Sequence, residues 1–291
     1  MIHEIAPAKV NLFLHVGGKR ADGYHELESL VVFADVADEL SVEAADALSL
    51  AVTGPFAPAL EGESDNLVLR AARRFGEFAQ VEPKVKITLS KNLPVASGIG
   101  GGSSDAAATL RGLSRMFSGR TKLPELWNMA PALGSDVPVC VLPNCWIMSG
   151  RGERFASVED FPQLDAVLVN AGKPVSSAEV YARLENRRGV GNVSRPAGIR
   201  TAAALKFYLD GTGNDLEAPA RLLCPVVGEQ IEALKKSGAI IARMSGSGAT
   251  CFGIYPDDVS ARRGADVIFA EHPNWWVRAT ALNRARTWSF Q

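Results

Sequence analysis

Residues 93–108 read LPVASGIGGGSSDAAA, a run in which four glycines and a Ser-Ser pair lead into alanines. Glycine adopts positive φ and lets a ligand approach the backbone closely. A helix that begins just after such a loop has unpaired N–H groups, and these groups together with the helix dipole bind anions. We therefore predict a phosphate-binding loop with a nucleotide as its ligand. The alternative is a glycine-rich hairpin loop that binds nothing.

The run does not match three well-known phosphate-binding motifs. A Walker A loop needs Gly-Lys followed by Ser or Thr, and no lysine lies between Lys91 and Lys122. A dinucleotide fingerprint that started at Gly98 would need a glycine where Ser103 stands. The His-Arg-Asp and Asp-Phe-Gly tripeptides of protein kinases do not occur in the sequence. The loop by itself therefore predicts a phosphate ligand and leaves the class of protein open.

Composition narrows the class of protein. A chain of 291 residues, 47% of them hydrophobic, is long enough for one large or two ordinary domains. A net charge of −1 gives no strong field toward nucleic acid or an anionic membrane. The four cysteines and four histidines show no metal-ligand spacing, which predicts buried thiols in a reducing compartment and no zinc site. Without a secretory leader or a long apolar run, we expect a soluble cytoplasmic protein.

Hydrophobic periodicity places the glycine loop between a strand and a helix. Apolar and polar residues alternate over 85–89, as in a half-exposed strand. Residues 137–142 are predicted to form a buried strand, and 240–255 two strands joined by a Ser-Gly-Ser-Gly loop. Because strands and helices do not alternate strictly, we predict an α+β fold. We place the boundary of an N-terminal domain, 1–150, and a C-terminal domain, 151–291, at a glycine-rich turn.

Three segments together resemble the GHMP family of small-molecule kinases: the glycine loop, PAKVNL at 7–12 and SGSG at 245–248. Five longer segments are similar to members that phosphorylate a cytidine-diphosphate-linked methylerythritol: PAKVNLFLHV, RADGYHELESL, LPVASGIGGGSSDAAATL, LGSDVPVC and ARMSGSGATCFGIY. The resemblance implies an N-terminal domain like ribosomal protein S5, a ferredoxin-like C-terminal domain and an active site in the cleft between them. It also implies direct transfer of a phosphoryl group from ATP to the 2-hydroxyl of that substrate, in the non-mevalonate route to isoprenoid precursors.

The resemblance assigns catalysis to an aspartate and a lysine. Asp136 stands in Gly-Ser-Asp-Val-Pro, where the family has its proposed base, and Lys9 matches the lysine beside it. A carboxylate accepts the proton of an attacking hydroxyl, and an ammonium stabilises developing negative charge. A turn-capping Asp and a solvated Lys are the alternatives. Asn11 shares a strand face with Lys9 and is a candidate orienting group.

Substrate-binding positions are likewise implied by the resemblance. Tyr24 and His25 follow an Asp-Gly turn and match the positions that bind cytidine. Ser177 and Tyr181 match positions on its other side, where family members often have Thr and Phe; helix capping and core packing are the alternatives. Near the substrate diphosphate we expect Gly246 and Ser247.

For ATP, the resemblance implies binding through the glycine loop and a segment near the adenine. The residues expected to hold ATP are Asp65, Asn66, Leu67, Lys91, Pro94, Ser97, Gly98, Ile99, Gly100, Gly101, Gly102, Ser103 and Ser104. The hydroxyls of Ser103 and Ser104 suit phosphate oxygens or Mg²⁺. No second carboxylate completes a metal cage, so we expect Mg²⁺ to arrive on ATP.

Three other functions remain open from the sequence. One is a kinase of the same family for another small alcohol, such as homoserine, mevalonate or a sugar. Another is a nucleotide-binding regulator without turnover, which would need neither Lys9 nor Asp136. The third is a relative that shares only the fold and acts in assembly or RNA binding, which the near-neutral charge disfavours. We expect a small-molecule partner that carries cytidine diphosphate, no membrane or nucleic-acid partner, and a monomer or weak homodimer.

Overall fold

A long antiparallel hairpin begins the chain. The computed structural model describes residues 1–118, 120–196 and 198–284, so the last residues of the predicted second domain lie outside the described part. Strand β1 (Ile2–Lys19) pairs with β2 (His25–Ala44) along most of its length. The turn between them contains Gly23 at φ 84°, a conformation that glycine adopts without strain.

The first half of the chain forms one sheet covered by helices. After the hairpin come β3 (Ser49–Thr53), α1 (Leu67–Ala79), β4 (Val85–Ser90), α2 (Gly101–Met116), α3 (Leu123–Met129), α4 (Val137–Val141), β5 (Trp146–Gly150) and β6 (Arg154–Ser157). Strand β2 pairs with β1, β4 and β5, while β3 and β6 flank β4 and β5. The predicted strand 85–89 before the loop and the helix after it are both present. The glycine loop therefore connects the sheet to the helix packed on it.

The core of this half forms because α1 and α2 present apolar residues at helical spacing. Phe75 of α1 and Leu110 of α2 are fully buried in the same cluster as Ile87 of β4. Each such side chain contributes about 1.5–3 kcal/mol through burial. Since α2 packs against both β1 and α1, its N-terminus is fixed relative to the strand that carries Lys9.

The second half has the connectivity β-α-β-β-α-β. Its elements are β7 (Leu164–Asn170), α5 (Ser177–Ala182), α6 (Ala202–Asp210), α7 (Glu217–Leu223), α8 (Val226–Lys236), β8 (Ile241–Met244), β9 (Cys251–Tyr255), α9 (Asp258–Glu271) and β10 (Trp276–Leu282). The four strands are antiparallel in the order β10-β7-β9-β8. With α8 and α9 as the crossing helices, this is the ferredoxin-like arrangement. It confirms the expected C-terminal fold, while the boundary at residue 150 stays a prediction.

The predicted strand at 137–142 is wrong. Residues Val137–Val141 form the short helix α4, and Asp136 occupies its N-cap position. A short apolar run cannot be assigned to a strand or a helix from periodicity alone, and a proline in the first helical turn needs no N–H partner. Pro138 therefore marks the beginning of a helix here, and Asp136 lies at that helix's N-terminal end.

All four cysteines are buried and free, as predicted. Burial raises the pKa of the Cys140 thiol to about 12.

Within the described residues, no helix has both the length and the apolar composition needed to span a bilayer.

A buried ion pair holds α2 against β1, and its loss should destabilise the fold. The Arg111 guanidinium donates to Glu4 at 2.9 Å and to the Cys140 carbonyl at 2.9 Å. We expect Arg111→Met to lower the free energy of unfolding by about 3–5 kcal/mol, because the buried Glu4 carboxylate loses its buried partner and keeps only the exposed Arg115. Urea denaturation measures this change. Arg262→Met, in an exposed pair, should leave the midpoint nearly unchanged, and equal midpoints for both variants would contradict the interpretation.

Candidate active site

A cavity of about 570 Å³ opens beside the glycine loop. The loop and the first turn of α2 form one wall, and segments 175–177 and 246–248 of the second half form the other. Of the predicted ATP and substrate residues, these line the cavity: Lys9, Asn66, Leu67, Lys91, Pro94, Ser97, Gly98, Gly100, Gly101, Gly102, Ser103, Asp136, Ser177, Gly246 and Ser247. Residues widely separated in sequence thus meet at one site.

Two glycines of this site approach each other backbone to backbone. A Cβ on Gly98 would lie 2.6 Å from the Ser245 carbonyl oxygen, and one on Gly246 would lie 2.6 Å from the Gly98 oxygen. Both residues have positive φ, at 75° and 56°. Two hydrogen bonds strengthen the contact, one from Ser245 Oγ to the Gly98 oxygen at 3.2 Å and one from the Thr250 amide to the Ser97 oxygen at 2.9 Å. The late Ser-Gly-Ser-Gly segment therefore supports the glycine loop.

The beginning of α2 is suited to an anion. Its N-cap, Gly100, has φ 61° and offers no capping side chain. Gly101, Gly102 and Ser103 of the first turn line the cavity. Their N–H groups lie at the positive end of a helix of 16 residues, where phosphate oxygens are favoured.

Lys9 and Asp136 form an ion pair at the same cavity. Lys9 Nζ donates to Asp136 Oδ2 at 2.6 Å, and the Lys9 backbone amide donates to the Ile99 carbonyl oxygen of the loop at 2.8 Å. The Lys9 side chain is 4% exposed and that of Asp136 is 34% exposed. A carboxylate that is reachable from solvent and paired with a buried ammonium is equipped to accept a proton beside a phosphoryl group.

Three of the residues predicted to bind cytidine, Tyr24, His25 and Tyr181, are not part of this cavity's lining. The rings of His25 and Tyr181 stack with their centroids 5.4 Å apart and an angle of 15° between the planes. Tyr24 is 56% exposed, and the Arg151 guanidinium lies 5.2 Å from its ring centroid. Ser177 and Ser247 share a hydrogen bond of 2.6 Å, which joins α5 to the Ser-Gly-Ser-Gly segment.

Some predicted residues lie outside the cavity wall. Asp65 is exposed and pairs with Arg70 and Arg73 at 3.9 and 3.5 Å. Ile99 is fully buried, and the Ser104 hydroxyl donates to the Pro7 carbonyl at 2.8 Å. The buried Asn11 side chain donates to Ser29 Oγ at 2.8 Å. The Ser104 hydroxyl thus serves the contact between α2 and β1, because it points at the β1 backbone.

Sequence reasoning missed a buried cluster behind the loop. The Lys91 ammonium bonds Asp105 Oδ2 at 2.6 Å and also bonds Asp38 Oδ2, and all three side chains are at most 4% exposed. Burial and the neighbouring Asp38 raise the pKa of Asp105 above its ordinary value, against the opposing effect of Lys91. An acid within the apolar run of α2 was the available signal. Six other lining residues were not predicted: Leu60, Glu63, Val95, Ala96, Val175 and Ser176.

Family models and relatives agree with this geometry. The models described as GHMP kinases N terminal domain and GHMP kinases C terminal match residues 66–144 and 200–274. A protein of Parvibaculum lavamentivorans named 4-diphosphocytidyl-2-C-methyl-D-erythritol kinase is 49% identical, over 96% of this chain and 98% of its own length. The chain belongs to the GHMP kinase family. It is therefore an ATP-dependent kinase of small molecules, as the sequence predicted.

Other relatives named for the same activity match nearly the whole chain. A protein of Rhodospirillum rubrum with the same name is 44% identical, over 96% of this chain and 92% of its own. The crystal structure of a 4-(cytidine 5'-diphospho)-2C-methyl-D-erythritol kinase is 32% identical, with a TM-score of 0.77 over 97% of this chain and 100% of that one. Homoserine kinase from Cytophaga hutchinsonii has a TM-score of 0.75 over 96% of this chain and 93% of its own. At 15% identity it shows the shared fold alone.

The His25 imidazole should be neutral near pH 7. Partial burial lowers its pKa below the ordinary value, and the charges of Arg187 and Lys19 lower it further. We expect Arg187→Gln to raise this pKa, because a nearby cation disfavours the charged imidazolium. The shift is measured by following the His25 ring resonances against pH in NMR spectra. Arg154→Gln serves as the control, and an unchanged His25 pKa in Arg187→Gln would contradict the assignment.

Proposed function

We propose that this kinase transfers the γ-phosphoryl group of ATP to the 2-hydroxyl of 4-diphosphocytidyl-2-C-methyl-D-erythritol. The observation that carries the proposal is the Lys9–Asp136 pair at 2.6 Å, on the same cavity as the glycine loop. A binding module would have no need of a buried lysine against a half-exposed carboxylate. The names of the full-length relatives support the choice of substrate.

ATP would bind with its phosphates on the glycine loop and its base toward α1. A second cavity of about 560 Å³ shares Leu60, Glu63 and Asn66 with the first. Its apolar wall includes Leu48, Leu50, Val52 and Leu69. An apolar cleft continuous with a phosphate site suits a purine. The Asn66 carboxamide caps α1 by accepting from the Val68 amide at 2.9 Å, which fixes this part of the wall.

Mg²⁺ would arrive on ATP and be held mainly by phosphate oxygens and water. Among the described residues, no three His, Cys, Asp or Glu side chains are grouped as a metal site. The Ser103 hydroxyl, at the cavity wall, is available to the ion, whereas the Ser104 hydroxyl is bonded to Pro7. The cation would offset the charge that develops on the transferring phosphoryl group.

The cytidyl end of the substrate would lie against His25, Tyr24 and Tyr181. Aromatic faces stack on a pyrimidine, and a neutral imidazole both donates and accepts hydrogen bonds. In this arrangement the substrate diphosphate would lie near the hydroxyls of Ser177 and Ser247, which share a hydrogen bond. We also propose that the kinase acts in the cytoplasm, where ATP is available, as a monomer or weak homodimer.

Phosphoryl transfer would be direct. The substrate oxygen attacks the γ-phosphorus in line while its proton passes to Asp136, the bond to the β-phosphate oxygen breaks, and ADP leaves. The Lys9 ammonium holds the Asp136 carboxylate in place through their hydrogen bond and stabilises charge on the transferring group. The α2 N–H groups stabilise the phosphate oxygens without reorganisation, since their positions are fixed by the fold.

Removal of the proposed base should slow turnover strongly. We expect Asp136→Asn to lower kcat by roughly a hundredfold or more, because the amide cannot accept the proton. The assay follows ATP-dependent phosphorylation of the cytidyl substrate beside homoserine, mevalonate and galactose. Turnover of another alcohol by the wild type would keep the family and discard the cytidyl substrate, and a near-normal rate in Asp136→Asn would discard the base.

Loss of the lysine should affect chemistry more than nucleotide affinity. We expect Lys9→Met to lower kcat by roughly a hundredfold with the KM for ATP within about threefold of wild type, because its charge acts on the transition state. Steady-state kinetics with both substrates varied separates these effects. If KM rises while kcat is unchanged, Lys9 is a binding residue only.

A further inference from the structure

A buried ionic cluster joins the two ends of the glycine loop. Lys91 directly follows β4 at the loop's entrance, and Asp105 belongs to the second turn of α2 at its exit. Asp38 of β2 is fully buried between them. The Lys91 ammonium bonds both carboxylates, so it joins the two ends of the loop to the central strand of the sheet.

Asp38 also fixes the backbone of the entrance. Its Oδ1 accepts from the amides of Asn92 and Leu93 at 2.5 and 2.8 Å, while its Oδ2 bonds Lys91. The Lys91 amide donates to the Thr53 carbonyl at 2.7 Å. One carboxylate therefore bonds three consecutive residues at the point where the chain turns out of the sheet.

The cluster lies directly against the proposed phosphate site. A Cβ on Gly101, the first residue of α2, would lie 3.1 Å from Lys91 Nζ. Lys91 and Asp105 line the same cavity as the loop. A shift of the Lys91 ammonium would therefore displace the first turn of α2, whose N–H groups would bind the phosphates in the proposed function.

The composition of the cluster points to positioning more than to stability. Two carboxylates and one ammonium are costly to bury, and apolar side chains of similar volume often stabilise a core as well. Charged groups in a low dielectric, however, define their partners' positions closely. In addition, Asp105 Oδ1 is buried with no hydrogen-bond partner among the described residues, a cost that packing does not explain.

We propose that the Asp38–Lys91–Asp105 triad positions the glycine loop and the first turn of α2 for ATP, acting on nucleotide binding through the backbone. The inference rests on the proposed function in assigning ATP to this loop. None of the three side chains need touch the reacting atoms, so they are positioning residues.

The test compares Asp105→Asn with a matched ion-pair control on the same helix. Asp105→Asn keeps the side-chain volume and the Lys91–Asp38 contact. Glu4→Gln weakens the buried Arg111–Glu4 pair, which holds α2 farther along its length. The measurements are the KM of each substrate, the Kd of a non-hydrolysable ATP analogue by calorimetry, and the thermal midpoint.

We expect Asp105→Asn to raise the KM of ATP and the analogue's Kd by about tenfold, the scale of a lost charge-assisted hydrogen bond, with the alcohol KM within about twofold. Glu4→Gln should lower the thermal midpoint and leave the KM of ATP within about twofold. The inference is overturned if Asp105→Asn binds ATP normally, or if both variants lose affinity for ATP equally. A wild-type protein that binds no analogue would instead overturn the proposed function.

A second pair of variants covers the case in which Asp105→Asn does not fold. Gly101→Ala retains every charge and places a methyl group against the Lys91 ammonium. Gly112→Ala makes the same change in the same helix, with its Cβ 3.0 Å from Val42 Cγ2 and far along the helix from the triad. We expect only Gly101→Ala to raise the Kd of the analogue, by about threefold or more. Equal values for the two variants would overturn the inference.

Discussion

The active-site cavity depends on a backbone contact between two glycine segments that are far apart in sequence. Gly98 in the first half and Gly246 in the second approach so closely that neither position has room for a Cβ. Their positive φ values would also strain other residues. Because the late segment is the loop between β8 and β9, the ferredoxin-like sheet braces the glycine loop directly. The two halves of the chain are therefore mutually required for the shape of the cavity.

This contact explains how the cavity can be rigid although loops form much of its wall. The glycine loop is fixed at its base by β4, at its exit by α2 and along its middle by segment 245–250. In the proposed function its N–H groups would need little reorganisation to bind a phosphate, and preorganised donors contribute most to electrostatic catalysis. Glycine here provides space for backbone contact on one side and, in the proposed function, for a phosphate on the other.

Local signals in the sequence were enough for the loop, α2 and the two strands around Ser-Gly-Ser-Gly. Each of these elements depends on local backbone preferences, because glycine favours turns and alanine favours helix wherever they occur in the chain. The ferredoxin-like half followed from the family resemblance, and the order of its strands confirms it. The error at 137–142 arose because a run of six apolar residues fits a strand or a helix equally well, and only the packing on α2 decides.

What sequence reasoning could not supply was the partner of each charged residue. Lys91 was expected at the nucleotide site, yet its two carboxylates come from β2 and α2, at 53 and 14 residues' distance. Ser104 and Ser103 are adjacent serines with the same predicted role, and the helix directs only one of them to the cavity. Such differences depend on the angle at which a helix meets a sheet, which no short motif encodes.

For Lys9 and Lys91, the exposure of the aspartate partner distinguishes a candidate catalytic pair from a structural cluster. Both ammonium groups are buried beside the glycine loop and bonded to aspartate. The partner of Lys9 is 34% exposed at the cavity, so a substrate hydroxyl can reach it. Lys91 is bonded to two carboxylates that are at most 4% exposed, and its charge is neutralised on both sides. A proton acceptor needs an oxygen that the reacting hydroxyl can reach. By that criterion Asp136 is suited to catalysis, and the aspartates around Lys91 are suited to holding the loop in place.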